Sequence, residues 1–205
     1  MKEFFDGLIT KIQQAVVKDF QDIQKQVGSE KIYAAALVTD SSCVTLGLWV
    51  NTVEQVEPKD NEYGFYDKEA YIEQCKDYLT PERIEEIRSS DGPAESVKWM
   101  PDEWQYSSYK AGGTVDICKL LSDKASSSYN ESAEAYDEFC KLFIETVTTA
   151  FRNLIQVNTF GLDPNEVTYF LYMTDDDRVN NIAKESSKLL NTARVHEEFL
   201  KHSGF

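Results

Sequence analysis

The carboxylate side chains of this chain are spaced in a way that could support metal binding or catalysis. Asp175, Asp176 and Asp177 follow one apolar segment, and Asp40 follows another. Carboxylate oxygens at the ends of two neighbouring strands could hold a hard cation such as Mg²⁺ or serve a hydrolase. Thr174 followed by Asp177 also fits a helix capping box, with acids in the first helical turn. We predict that this cluster caps a helix, and keep an enzyme site built from Asp40 and the three aspartates as the alternative.

The other residue types used in catalysis are few and scattered. The two histidines, His196 and His202, are six residues apart and do not lie side by side on a helix, so we interpret both as surface residues. The cysteines form no C-x-x-C pair and are interpreted as unpaired packing residues; they are Cys43, Cys75, Cys118 and Cys140. No P-loop or dinucleotide-binding pattern is present, and residues 110–114 predict a turn. We therefore assign no catalytic residue, no metal and no cofactor.

Residues 99–106, WMPDEWQY, form the most distinctive segment. Trp104 and Tyr106 stand here beside Asp102 and Glu103. These aromatic residues could anchor a basic partner, since Trp and Tyr are enriched at binding hot spots. An edge strand that lays its aromatic rings across the core would have the same pattern. The segment is consistent with both interpretations.

The acidic charge is concentrated in the middle of the chain. Residues 54–103 hold 15 acidic and 6 basic side chains, which is −9 of the formal net charge of −15. A field of this sign repels nucleic acid and attracts basic partners. The segment is either a solvated surface or a binding face for a basic protein. The candidate partner-binding residues are Glu85, Glu86, Asp102, Glu103, Trp104 and Tyr106.

Periodicity and turn signals predict the elements of the first half. An amphipathic helix ends at Gly28, and two apolar segments, residues 31–39 and 43–51, predict a hairpin. Residues 67–79 predict a helix. Thr80 before Pro81 predicts the start of another helix, which residues 91–93 end.

In the second half, residues 99–109 are expected to be extended and residues 122–130 to form a serine-rich loop. Residues 131–157 predict the longest helix, apolar over more than half of its circumference and therefore buried. Residues 167–173 predict a central strand, and two amphipathic helical segments follow it.

This grouping of strands and helices predicts one α+β domain over residues 1–205. Its small, mostly antiparallel sheet would pack against the long buried helix and several amphipathic helices, with residues 31–39 and 167–173 as neighbouring inner strands. The first residues contain acids and no continuous apolar stretch, so we expect neither a signal peptide nor a membrane anchor, and a cytoplasmic location.

Four segments together resemble a known family. They are YAAALVTD at residues 33–40, VNTVE at residues 50–54, the W-x-P-x-E-W-x-Y pattern of residues 99–106, and FLYMTDDD at residues 170–177. In this order they resemble the bacterial family called domain of unknown function 4303. The resemblance implies a small cytoplasmic bacterial α+β protein without established catalysis, and it transfers no catalytic residue.

Two functions are consistent with these observations. The first is a non-enzymatic acidic interaction module, such as an inhibitor or immunity-type protein that presents carboxylates to a basic partner. The alternative is a small hydrolase or metal-dependent enzyme that uses the aspartates.

Overall fold

A computed structural model describes residues 1–56, 68–76, 78–89, 97–109, 112–176 and 178–203. The helices are α1 (Lys2–Val27), α2 (Lys68–Cys75), α3 (Pro81–Ser89), α4 (Val115–Glu131), α5 (Ala133–Gln156), α6 (Val179–Leu190) and α7 (Ala193–His202). The strands are β1 (Ile32–Asp40), β2 (Gly47–Thr52), β3 (Tyr106–Ser107) and β4 (Thr168–Thr174). Among the described residues, no helix is long and apolar enough to span a membrane.

The strands form one sheet in the order β3-β2-β1-β4. β1 pairs antiparallel with β2, β2 pairs antiparallel with β3, and β1 pairs parallel with β4. The α+β fold, the mostly antiparallel sheet and the pairing of residues 31–39 with residues 167–173 are thus confirmed. The prediction that both are inner strands is wrong for β4, which lies at one edge of the described sheet and is covered on both faces by helices and aromatic side chains. The parallel register runs from Ala34 opposite Thr168 to Asp40 opposite Thr174, so β1 and β4 end side by side.

Both faces of β1 and β4 are covered, which explains why most positions of these strands are apolar or aromatic. On one face, Leu37 and Leu171 belong to a cluster with α1 and the long helix α5. On the other face, Ala36 and Phe170 belong to a cluster with Trp99, Trp104 and Phe199. Because alanine is small, β1 leaves room for these large rings.

The serine-rich loop predicted over residues 122–130 is wrong, because these residues belong to helix α4. Ile117, Leu121, Ala125 and Ser128 form its buried stripe. The hydroxyl of Ser128 donates to the carbonyl of Lys124 at 3.0 Å and so has a partner inside the helix. Burial of this stripe outweighs the modest helix propensity of serine.

The prediction that residues 99–109 are extended is correct only for the short strand β3. Two 3₁₀ turns, Val97–Trp99 and Pro101–Glu103, precede the two-residue strand β3. Pro101 at the first position of its turn favours this bend. β2 likewise begins later than predicted, because residues 43–46 belong to the connection from β1.

Other local signals are confirmed. Gly28, with φ of 62°, ends α1, and the Thr80 hydroxyl accepts the backbone N–H of Arg83 at 3.2 Å at the start of α3. The stop predicted at residues 91–93 lies outside the described residues. His196 is not a simple surface residue, because it is partly buried and its Nδ1 lies 2.8 Å from Ser187 Oγ. The side chain of His202 lies outside the description.

Candidate functional site

A cleft of about 590 Å³ opens at the carboxyl ends of β1 and β4. The two strands bring Asp40 and Asp175 to its border, and the β2–β3 side of the sheet contributes aromatic residues. Its lining consists of Val38, Thr39, Asp40, Thr45, Leu46, Trp49, Asp102, Trp104, Ser107, Tyr109, Thr174 and Asp175. The cleft therefore combines carboxylates with aromatic rings.

Asp40 is held by the turn that follows β1. Its Oδ1 accepts the backbone N–H groups of Val44, at 2.9 Å, and Thr45, at 3.1 Å. The Thr45 hydroxyl accepts the backbone N–H of Asp40 at 3.0 Å, and the Thr39 hydroxyl donates to the Thr45 carbonyl at 2.7 Å. These reciprocal bonds keep one carboxylate at the edge of the cleft.

Asp175 reaches the cleft because the chain turns sharply after β4. Its φ of 56° is in the left-handed region, which aspartate tolerates better than most residues. The next residue, Asp176, instead pairs with Arg178: its carboxylate accepts the guanidinium at 2.5 and 2.8 Å and the backbone N–H at 2.8 Å. The hydrogen bond from Arg178 lowers the pKa of Asp176 to about 2.

The predicted capping box at Thr174 is wrong. Thr174 is the last residue of β4, and α6 begins only at Val179, with Arg178 as its N-cap residue. The left-handed turn at Asp175 delays the helix, so the Thr174 side chain does not stand at its N-terminus. Asp177 lies outside the described residues.

Asp102 belongs to the second 3₁₀ turn and also lines the cleft. Partial desolvation raises the pKa of Asp102, and the negative charges of Asp175 and Glu103 raise it further. Burial, followed by the charges of Asp102 and Asp175, also raises the pKa of Tyr172. Asp102 and Asp175 are thus close enough to repel each other.

Aromatic rings form the rest of the wall. The rings of Trp49 and Tyr109 lie 5.6 Å apart between centroids and are tilted by 37°. Gly47 makes room for Trp49, because a Cβ at position 47 would lie 2.4 Å from the indole ring. Trp104 also lines the cleft and packs edge-on against Phe170 at 5.8 Å.

The geometry gives little support to the alternative of a metal-dependent enzyme that uses the aspartates. Asp40 and Asp175 do meet at the cleft, as expected for the ends of neighbouring strands, whereas Asp176 is paired with Arg178. Within the described ranges, no group of three or more His, Cys, Asp or Glu side chains is placed to hold a metal ion.

The structure places the predicted partner-binding residues on different elements and at different degrees of exposure. Glu85 is exposed on α3, and the side chain of Glu86 lies outside the description. Asp102 is exposed and Glu103 half-buried. Trp104 and Tyr106, at 5% and 8% exposure, offer little area to a partner.

Sequence reasoning missed Trp49 and Tyr109 as cleft residues. The signal at Trp49 was its position in β2, where it points to the face opposite Leu48 and Val50, two residues after a glycine. Tyr109 had no local signal, because its proximity to Trp49 depends on how residues 97–109 return to β2.

A family model described as Domain of unknown function (DUF4303) matches residues 12–192. Searches of curated proteins and of solved structures give no significant match.

Proposed function

This chain belongs to the DUF4303 family, whose description assigns no activity. From the composition of the cleft, we propose that the protein is a non-enzymatic binding protein. The cleft would receive a cationic group of a basic partner. In its concrete form the protein is an inhibitor or immunity-type protein of the bacterial cytoplasm. Its partner would be a basic protein that presents an arginine or lysine side chain.

The observation that carries this proposal is the composition of the cleft wall. Asp40, Asp102 and Asp175 line it together with the rings of Trp49 and Tyr109, and none of the lining residues that the structure describes is Lys, Arg or His. A guanidinium or ammonium group placed here would offset the repulsion between Asp102 and Asp175. It would also gain cation–π contact with the rings.

The charge of the whole chain supports the same kind of partner. The formal net charge is −15 and the pI is about 4.5. A field of this sign accelerates the approach of a basic protein and weakens as salt increases. Residues 54–103 contribute much of this field, so they would steer the partner while the cleft holds it.

An arginine hexapeptide tests the proposal, with a citrulline hexapeptide as the neutral control of nearly equal shape. Trp49 and Trp104 line the cleft, so tryptophan fluorescence should report saturable binding of the arginine peptide only. Increasing salt should weaken that binding.

Variants locate the binding site. Asp102→Asn and Asp175→Asn should each weaken binding roughly tenfold, since each removes one charged partner. Asparagine also tolerates the left-handed φ at position 175. Glu145→Gln, on an exposed part of α5, is the matched control and should bind as the wild type does. Equal affinity of the wild type and both cleft variants would refute the proposal.

One observation favours the hydrolase alternative. Burial raises the pKa of Asp102, which lies near Asp175, and a carboxyl group whose pKa is raised is a candidate general acid. A panel of chromogenic glycosides and esters distinguishes the two functions. Turnover that Asp102→Asn abolishes would favour the enzyme, whereas equal background rates in both proteins agree with a binding protein.

A further inference from the structure

A second groove, of about 390 Å³, lies between α5 and α6. Its lining follows one stripe of each helix and includes Glu145, Thr148, Thr149 and Arg152 of α5, and Ile182 and Leu189 of α6. Residues three or four positions apart lie on the same side of a helix, so the two helices present one continuous surface. None of the described residues that line this groove also lines the cleft. We propose that the groove is the interface of a two-fold symmetric homodimer, across which α5 of one copy runs antiparallel to α5 of the other.

Part of the groove lining is apolar and only partly covered. Ile144 and Ile182 are partly buried and pack against the larger apolar cluster of the fold. Leu189, beside them in the lining, is 51% exposed, whereas leucine is usually buried. A second protein surface on this groove would remove that apolar area from water. An apolar centre with a charged rim is also the usual composition of a protein–protein interface.

The hydroxyl groups of the groove already have partners within the chain. The Thr148 and Thr149 hydroxyls each donate to the carbonyl four residues earlier, both at 2.7 Å. The Ser186 hydroxyl accepts the backbone N–H of Leu171 at 2.9 Å. These groups therefore offer little to a polar small molecule. Threonine and serine are small, however, and small side chains at a contact let two helices approach closely.

The charged residues of α5 are placed symmetrically in this groove. Glu145 and Arg152 lie equally far along the helix from the midpoint between Thr148 and Thr149. They are seven residues apart, or about 10 Å along the helix axis, which is too far for them to pair with each other. In the part of the chain that the structure describes, neither side chain forms an ion pair. A two-fold axis at the midpoint brings Glu145 of each antiparallel helix opposite Arg152 of the other copy.

The net charge of this face permits self-association. Two copies with a formal net charge of −15 each repel one another, so the surfaces that meet must carry little of that charge. Residues 145–156 contain one acidic and one basic side chain, Glu145 and Arg152. α6 contains one acidic and two basic side chains, Glu185, Lys184 and Lys188. These two segments together therefore carry a formal charge of +1, which makes a second copy of this chain an acceptable occupant.

The size of the face indicates a weak dimer. α5 has 24 residues and α6 has 12, so their lengths are about 36 and about 18 Å at a width of about 10 Å each. The face they form is therefore of the order of 500 Å². Stable complexes bury about 800 Å² on each partner. We therefore expect a dissociation constant in the micromolar range and an equilibrium between monomer and dimer.

Analytical ultracentrifugation of the full-length chain tests the proposal. The sedimentation coefficient should increase with protein concentration, from that of a monomer at low micromolar concentration to that of a dimer at several hundred times that concentration. Physiological salt is used, because a Debye length of about 8 Å screens the distant like charges of the two copies. A monomer over the whole concentration range would overturn the proposal.

Two charge reversals test the antiparallel arrangement. Glu145→Arg or Arg152→Glu alone would place like charges opposite each other at both ends of the contact, and should raise the dissociation constant by more than about tenfold. An equal mixture of the two variants should form a heterodimer with nearly the wild-type affinity, because each contact again joins unlike charges. Both side chains are exposed, so both variants should retain the wild-type circular dichroism spectrum.

Lys119→Glu is the matched control, because Lys119 is exposed on α4 outside the groove and the change in net charge equals that of Arg152→Glu. This variant should dimerise as the wild type does. A wild-type dimer that neither groove variant weakens would show that another surface is used. Failure of the mixed variants to associate, while the wild type dimerises, would refute the two-fold pairing of Glu145 with Arg152.

Discussion

His196 is a histidine whose surroundings make its protonation unfavourable. It lies in α7, partly buried, and its Nδ1 is hydrogen-bonded to the Ser187 hydroxyl at 2.8 Å. Burial lowers the pKa of His196, and the positive charge of Lys188 lowers it further, against the opposite effect of Glu197. The Ser187 hydroxyl also reaches the Lys184 carbonyl at 3.0 Å, so this contact ties α7 to α6. The pair is a structural contact whose strength depends on pH.

The free energy of unfolding should fall as the pH decreases below the ordinary histidine pKa of about 6.5. The reason is that His196 takes up a proton more readily in the unfolded chain than in the folded one. Above that pH the contribution of His196 is fully present. Urea unfolding followed by tryptophan fluorescence, between pH 7.5 and pH 5, measures the effect. His196→Gln should have a flatter pH dependence over the same interval. Parallel curves for the two proteins would show that His196 does not contribute.

Between elements, a buried carboxylate joins α1 to the start of α4. Asp19 is 1% exposed and accepts the backbone N–H of Gly113 and, at 3.2 Å, the hydroxyl of Thr114. A Cβ at Gly112 would lie 2.6 Å from the Asp19 carboxylate, and one at Gly113 would lie 3.1 Å from the backbone of Ala15. The two glycines thus allow a tight turn against α1, as the sequence predicted. Lys110 and Ala111 lie outside the described residues.

Removal of this carboxylate should loosen the contact between the two helices. Asp19→Ala leaves the Gly113 N–H and the Thr114 hydroxyl without their acceptor, and we expect a loss of about 2 kcal/mol in the free energy of unfolding. Asp22→Ala is the matched control, because Asp22 is exposed on the same helix and pairs with Lys25 three residues later. The control should cost less than about 0.5 kcal/mol. Equal losses in urea unfolding would contradict the structural role of Asp19.

At the scale of the whole molecule, the sheet separates two apolar clusters, and β1 contributes to both. Ala35 and Leu37 face the cluster that contains α1 and α5, whereas Ala34 and Ala36 face the cluster that contains Trp99 and Phe199. The faces are linked through the backbone of the sheet, so damage to β1 should affect the entire fold.

Ala35 is 2% exposed, and Ala35→Glu would place an unpaired charge inside the first cluster. We expect this variant not to fold, since the burial of a lone carboxylate costs more than a typical domain's spare stability. Ala133→Glu, the same change at an exposed position in the first turn of α5, should fold normally. Circular dichroism and thermal unfolding measure both. A cooperative, native-like transition in Ala35→Glu would refute the two-sided burial of β1.

The sequence by itself determined the elements whose signals are local. β1 and β4 were recognisable because both of their faces are apolar, and α5 was recognisable by its wide apolar stripe. Gly28 marked the end of α1, and Thr80 marked the start of α3. Where local signals compete with distant contacts, prediction failed. The serines of α4 favour a loop, and only burial of the Leu121 stripe makes them helical.

Only the tertiary structure decided the composition of the cleft. Asp40 and Asp175 meet because β1 and β4 pair in parallel, while Trp49 comes from β2 and Asp102 from a 3₁₀ turn. Periodicity reports which face of an element is buried, whereas the register of strands and the path of loops determine which buried residues touch.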